Sequence, residues 1–301
     1  MSELLPKIGF HVSKSGYKTM AEALTAGHTE VRKRINTGKP HSSVIPSMQI
    51  FATGPCSISR ELSETELDLI KRELLHNDVI LVIHGAYVDN PWDIERSRIM
   101  GSIHNIKKEM RMAYIIGATG VIVHLGAKCN NSIEWVFDKI AHKLADEVKN
   151  SVVFYLEINA AKPTENTFET PEKLRVLFTK IADYNNIIKN EGTTPLKIGL
   201  CVDTAHLHSC GVTLTTAIAA REWFNAVPEV PIIVHLNDSK AVAGSGKDRH
   251  DHLGKGNIWG NDDSGLREIV KHCRDRSIPM ILERDDPMPD LTTLDEILAS
   301  F

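Results

Sequence analysis

Eight short runs of β-branched and aliphatic residues recur along the chain, at 8–13, 48–52, 79–85, 120–126, 152–158, 197–203, 232–238 and 279–284. They are apolar at consecutive positions, the pattern of a strand covered on both faces. Between them the period becomes helical. Residues 63–75 open with Ser63 and Glu66, a capping pair, and repeat Leu67, Ile70 and Leu74 on one face. Pro91 predicts the start of the next helix, with Ile99, Ile103, Ile106 and Met110 as its buried stripe. Trp135, Val136, Ile140, Leu144 and Val148 mark a helix from Ser132. Thr170-Pro171-Glu172 caps another that carries Leu174, Leu177 and Ile181. Weaker helical segments fall at 213–224 and 265–274, and 290–300 closes the chain.

Alternating strands and helices predict an α/β protein. Eight units of this kind fit a closed parallel TIM (β/α)8 barrel forming one domain over residues 1–301. An open doubly wound sheet usually has fewer strands and often a Gly-x-Gly-x-x-Gly turn after the first, and none follows here. The polar stretch 28–46 breaks the rhythm and is expected to be a surface excursion. No low-complexity tract or linker divides the chain.

Composition narrows the setting. With 301 residues, 42% of them hydrophobic, the chain can bury a large core. Five cysteines, an odd number without a Cys-x-x-Cys pair, argue against a disulfide framework and for a reducing compartment. The start lacks the basic and apolar regions of a signal peptide, and no apolar run approaches membrane-spanning length. The expectation is a soluble intracellular monomer, cytoplasmic unless its host places it in a nucleus or virion. The formal net charge of −4 speaks against nucleic acid as a partner, unless bound cations reverse the sign at the working face.

Candidate chemistry gathers at the strand ends. The third and fourth runs end in His84-Gly85 and His124-Leu125-Gly126, and the fifth carries Glu157. The sixth supplies Asp203 and His206, where Asp203 reads either as a helix cap or as a ligand. The seventh gives His235-Leu236-Asn237-Asp238, followed by Asp248-Arg249-His250, and the eighth ends Leu282-Glu283-Arg284. In a parallel barrel the carboxyl ends of distant strands share one rim. Any one of these residues alone is more often a hydrogen-bonded rim group. Five His and four acidic residues crowded together would stay undersatisfied without cations. Mixed imidazole and carboxylate donors suit zinc, with manganese or iron as alternatives. Nine donors exceed one tetrahedral ion and suffice for a cluster.

These motifs, His84-Gly85-x-Tyr87, His124-Leu125-Gly126, Asp203-Thr204-Ala205-His206, His235-Leu236-Asn237-Asp238 and Asp248-Arg249-His250, resemble those of the endonuclease IV family of apurinic/apyrimidinic (AP) endonucleases. Gly9-Phe10-His11-Val12-Ser13 matches that family's first strand. The likeness spans residues 8–284. It implies a TIM barrel holding three zinc ions, with Mn2+ or Fe2+ as substitutes at some sites. His84, His124 and Glu157 would hold the first. Glu157 would bridge to the second, completed by Asp203, His235 and Glu283, and would orient the nucleophile as the catalytic carboxylate. His206, Asp248 and His250 would hold the third. The implied activity is hydrolysis of double-stranded DNA 5′ to an abasic site, leaving a 3′-hydroxyl and a 5′-deoxyribose phosphate, with trimming of blocked 3′ ends beside it.

Leu253-Gly254-Lys255-Gly256 resembles the family's Leu-Gly-Glu-Gly turn after the Asp-Arg-His segment. The chain departs from the family pattern in three places. Phe51-Ala52-Thr53-Gly54-Pro55-Cys56 has no arginine where the bacterial enzymes place one in a DNA-penetrating loop. Glu157-Ile158-Asn159-Ala160 replaces a Glu-Asn-Thr-Ala-Gly segment, and the 28–46 stretch is long. Tyr87 and the turn Thr53-Gly54-Pro55 are therefore the candidates to fill the gap left by an extruded nucleotide. Lys247, Arg249 and Lys255 are the expected substrate contacts, with Lys240 and Arg284 nearby. His11 is expected to line the mouth without binding metal and His252 to be structural or to support the ligands, and Cys201 carries no nucleophilic role. The alternatives are a metal-dependent sugar isomerase of the xylose-isomerase-like barrel type and a non-catalytic lesion-binding module. The isomerase has no use for a third metal group, and the binding module none for a complete set of ligands.

Overall fold

The computed structural model describes residues 5–36, 44–54, 62–92, 95, 98–126, 131–141, 144, 148 and 151–301. Eight parallel strands close a barrel: β1 (Lys7–Phe10), β2 (Ile45–Phe51), β3 (Ile80–His84), β4 (Gly120–His124), β5 (Val153–Glu157), β6 (Lys197–Asp203), β7 (Ile232–His235) and β10 (Met280–Leu282). Around the ring, β10 lies between β7 and β1. A two-stranded ribbon, β8 (Asp238–Ser239) with β9 (His250–Asp251), stands apart from the barrel. Among the described residues the helices are α1 (Met20–Arg34), α2 (Glu64–His76), α3 (Ile99–Ile116), α4 (Ile133–Ala141), α5 (Pro171–Asn190), α6 (Thr204–Ser209), α7 (Ala217–Ala226), α8 (Ser264–Asp275) and α9 (Met288–Ala299).

Strand pleating explains why the site lies where it does. Successive side chains alternate between the barrel interior and the helical layer. Val121, Val123, Phe154, Leu156, Leu200 and Val202 pack outward into the main core. A separate inner cluster holds Val82, Ile122, Val153, Tyr155, Cys201, Ile233 and Ile281. Apart from Val153, each of these stands two positions before a candidate ligand: His84, His124, Glu157, Asp203, His235 and Glu283. The same inward face is thus an apolar plug one layer down and a polar floor at the mouth. Gly120 and Gly199 make room for the Tyr155 ring in that plug, since an added Cβ would lie 2.5 and 2.6 Å from it.

Two expectations at the element level need correction. The stretch 28–46 is not one surface excursion. Residues 28–34 complete α1, with His28 and Val31 buried, and 45–46 open β2; residues 37–43 lie outside the described set. The buried face of α1 is poor in large apolar residues because Gly27 lets Met48 approach, where a Cβ would meet the Met48 terminal carbon at 2.8 Å. Pro91 does not begin a helix either. It lies in a turn beside the buried Trp92, its carbonyl accepts a hydrogen bond from Asn131 Nδ2 at 3.0 Å, and α3 begins at Ile99.

Candidate metal centre at the barrel mouth

Register sets the donor pairs. His124 is the β4 partner of Glu157 on β5, and Asp203 on β6 pairs with His235 on β7. Adjacent parallel strands hold such partners roughly 5 Å apart, within reach of a shared ion. Nitrogen and oxygen atoms of His84, His124 and Glu157 fall within 4.8 Å of one another. So do those of Glu157, Asp203, His235 and Glu283, and those of Asp203, His206 and His250. Asp248 closes on this last group, 3.4 Å from His206 Nε2 and 3.0 Å from His250 Nε2. All nine sequence-predicted donors therefore converge. They are layered: Asp203 and His235 are fully buried on the floor, while the Asp248 side chain at the rim is 48% exposed.

Three imidazoles have one nitrogen committed outside the cluster. His84 Nδ1 donates to the Gly85 carbonyl at 2.7 Å, and His206 Nδ1 to the Ile158 carbonyl at 2.7 Å. His235 Nε2 donates to Gln49 Oε1 at 2.8 Å. Each bond fixes the tautomer whose other nitrogen presents a lone pair inward, the usual arrangement of metal-bound histidine. The inward nitrogens of His84 and His235 lie 3.1 and 3.2 Å from Glu157 oxygens. The donor set thus fits divalent ions.

Charge in the cluster is tightly balanced. Burial opposes protonation of His84 and His206, yet Glu157 beside the first and Asp203 beside the second raise both pKa values. Burial likewise opposes charging His250, but the adjacent Asp248 carboxylate lifts it to about 9. Burial pushes against ionising Glu157, and His124 and His235 nevertheless hold it well below the usual carboxylate range. At Asp203 burial prevails and raises the pKa. Protons and divalent cations compete for the same lone pairs here.

The capping and ligand readings of Asp203 are both realised. One oxygen caps α6 by accepting from the His206 amide at 2.8 Å, and the other faces His250 Nε2 at 3.6 Å. Sequence reasoning passed over Gln49 and Asn237 as working residues. Besides holding His235, Gln49 donates to Glu283 Oε1 at 2.8 Å. Asn237 Nδ2 bridges Asp203 Oδ2 and Glu283 Oε2 at 2.8 and 3.1 Å. A lone amide inside the apolar run Met48-Gln49-Ile50 was the available signal. Asp238 organises the loop instead, accepting from the amides of Ser239, Gly254, Gly256 and Ile258.

A mouth cavity of about 270 Å³ is lined by His84, Tyr87, His124, Glu157, His206, Asp248, Arg249, His250 and Glu283. Tyr87 and Arg249 thus reach the mouth, while Lys247 and Lys255 are exposed on the neighbouring loops outside it. The Tyr87 ring stacks on His124 at 5.6 Å and remains 51% exposed. Thr53 does not face outward; it is buried and its hydroxyl donates to Glu109. Pro55 and Cys56 lie outside the described residues. His11 contacts Gln49 and Phe51 and does not line the mouth cavity, and His252 Nδ1 meets Asp290 at 3.1 Å, a structural position as expected. Arg284 anchors the ribbon by donating to the His250 carbonyl at 2.9 Å.

A closed parallel barrel with a polar mouth places the protein in a broad class. A family model described as xylose isomerase-like TIM barrel matches residues 45–292. The chain is 32% identical over 252 residues to the probable AP endonuclease of African swine fever virus (isolate Tick/Malawi/Lil 20-1/1983), covering 79% of each. It is 27% identical over 247 residues to probable endonuclease 4 of Halothermothrix orenii, covering 79% of this chain and 84% of that one. The crystal structure of endonuclease IV from Thermus thermophilus superposes with a TM-score of 0.70 at 26% identity, over 98% of this chain and 100% of that one. A D-tagatose 3-epimerase-like protein, at 18% identity and a TM-score of 0.59, shares the fold. The chain belongs to the endonuclease IV family of AP endonucleases.

Proposed function

We propose that this protein is a zinc-dependent AP endonuclease of base excision repair, which hydrolyses the phosphodiester 5′ to an abasic site in double-stranded DNA. The products are a 3′-hydroxyl and a 5′-deoxyribose phosphate, and blocked 3′ ends are secondary substrates. The observation that carries this reading is the inward-facing donor set, with three imidazole tautomers fixed from outside. His84, His124 and Glu157 would hold one ion, Glu157, Asp203, His235 and Glu283 a second, and His206, Asp248 and His250 a third. Bound there, such ions supply a water deprotonated near neutral pH and relief of charge on the phosphate and the departing oxygen.

The chain's own groups do the rest. Glu157 touches both inner groups and orients the nucleophile between them. Gln49 and Asn237 hold Glu283 and Asp203 in place, so the floor does not rearrange as charge develops. Arg249, at the cavity rim, would meet a phosphate, and Lys247 and Lys255, exposed on the neighbouring loops, would add positive charge beside it. Asp248 completes the outermost donor group, so Asp248→Ala should lower kcat more than it weakens DNA binding.

The test is cleavage of an abasic duplex by metal-replete protein, with the ends analysed. The expected products are a 3′-hydroxyl and a 5′-deoxyribose phosphate. A 3′-unsaturated aldehyde, the mark of lyase chemistry, would contradict the proposal. The sugar-isomerase alternative draws support from the fold alone, and the trio His206, Asp248 and His250 counts against it.

A further inference from the structure

Glu109 is a fully buried carboxylate that the chemistry above does not use. It stands on α3, in the outer helical layer, and reaches inward between two mouth loops. The hydroxyl of Thr53, just beyond β2, donates to its Oε1 at 3.0 Å, and Thr53 itself is buried. Its Oε2 rests against Gly85, just beyond β3, where an added Cβ would lie 3.1 Å from that oxygen and 3.0 Å from the Ile122 carbonyl. Gly85 is further pinned by its amide, which donates to Ile122 at 2.8 Å. Tyr87 follows two residues later in a turn closed by the Asp89 amide on the Ala86 carbonyl. Its ring also meets Phe51, at the end of β2, edge-on at 5.4 Å.

One buried carboxylate therefore touches both loops that flank the half-exposed tyrosine. We propose that Glu109 is a positioning residue that locks the β2 and β3 mouth loops together, so that Tyr87 meets DNA at a fixed height above the metal centre. This rests on the proposed function. A carboxylate placed only to satisfy its own hydrogen bonds would matter for folding and equally for every substrate. A positioning residue matters for the duplex and not for a small diester that needs only the metal centre.

The experiment compares Glu109→Ala, Thr53→Val, the double variant and Glu109→Gln as metal-replete proteins. Substrates are an abasic-site duplex and bis(4-nitrophenyl) phosphate. Glu109→Ala and Thr53→Val should each raise KM for the duplex about tenfold with kcat within about twofold, the size expected for one buried hydrogen bond. The double variant should be no worse than Glu109→Ala, because both remove the same contact. Glu109→Gln keeps an acceptor for Thr53 and should recover most of the loss. Turnover of the small diester and metal content should match wild type throughout. An unchanged KM, additive losses, or equal losses on both substrates would overturn the proposal. Wild-type protein that hydrolyses the small diester yet treats abasic and intact duplex alike would bring down the functional reading, and this inference with it, before any variant is compared.

Discussion

Glu283, just beyond β10, and His252, just beyond β9, differ in what they touch. Glu283 accepts from Gln49 and Asn237 and lies 3.2 Å from His235 Nδ1, inside the donor set. His252 is turned away, onto Asp290 at the start of α9. Glu283→Gln should leave the fold intact and lower incision roughly 100-fold or more, by leaving one ion underligated. His252→Ala should cost far less, and equal losses in steady-state cleavage would mean the ligand assignment is wrong. Tyr87 tests the DNA side. Base–aromatic stacking is worth roughly 1–3 kcal/mol, so Tyr87→Ala should weaken binding to abasic duplex by that order while metal content holds. Cleavage at a nick or 3′ end, already flexible, should suffer less; loss of metal in the variant would make Tyr87 a support for His124 instead. His84, His124, Glu157, Asp203, His235 and Glu283 were legible in the sequence because each closes an apolar strand run. Gln49 and Asn237 were not, because an amide's role depends on which neighbours the barrel closure brings to it.

Elements differ in how plainly the chain announces them. Helix α2 was readable from Ser63, whose side chain caps it as expected, while Glu66 reaches back to the Ser63 backbone and also accepts from Lys14. Helix α1 was obscured because its buried face uses Gly27 and His28, neither of which registers as a hydrophobic signal. Its His28 is tied across to α2 through Glu73 at 2.6 Å. Helix α8 offers a test remote from the site. Burial, reinforced by the charge of Arg276, lowers the pKa of His272 to about 4. The unfolded chain, titrating near 6.5, binds more protons than the folded one between those values. Stability from this group is thus complete above pH 6.5 and lost as pH falls toward 4. Denaturant titrations should show wild type losing more stability than His272→Gln between pH 6.5 and 4.5. Parallel losses would mean that His272 is not held neutral.

At the scale of the whole molecule, closure of the barrel converts a scattered set of strand ends into one charged mouth. With divalent ions bound, an acidic protein would present a cationic site, with Arg249 at the rim adding to them against the buried carboxylates. The fold and the convergence of the candidate donors could be read together from the sequence, since the parallel barrel has one reactive face. The Asp248 loop was expected at the mouth, but the ribbon β8–β9, its anchor on Arg284 and the Asp238 cradle that hold it there were not legible. Among the described residues, no helix is long and apolar enough to cross a membrane. The measurement that bears most directly on the central claim is the metal content of purified, incision-competent protein, set against active-site concentration. The account predicts about three divalent ions per chain, mainly zinc, as clustered metal hydrolases require. A value of one ion in fully active protein would contradict it.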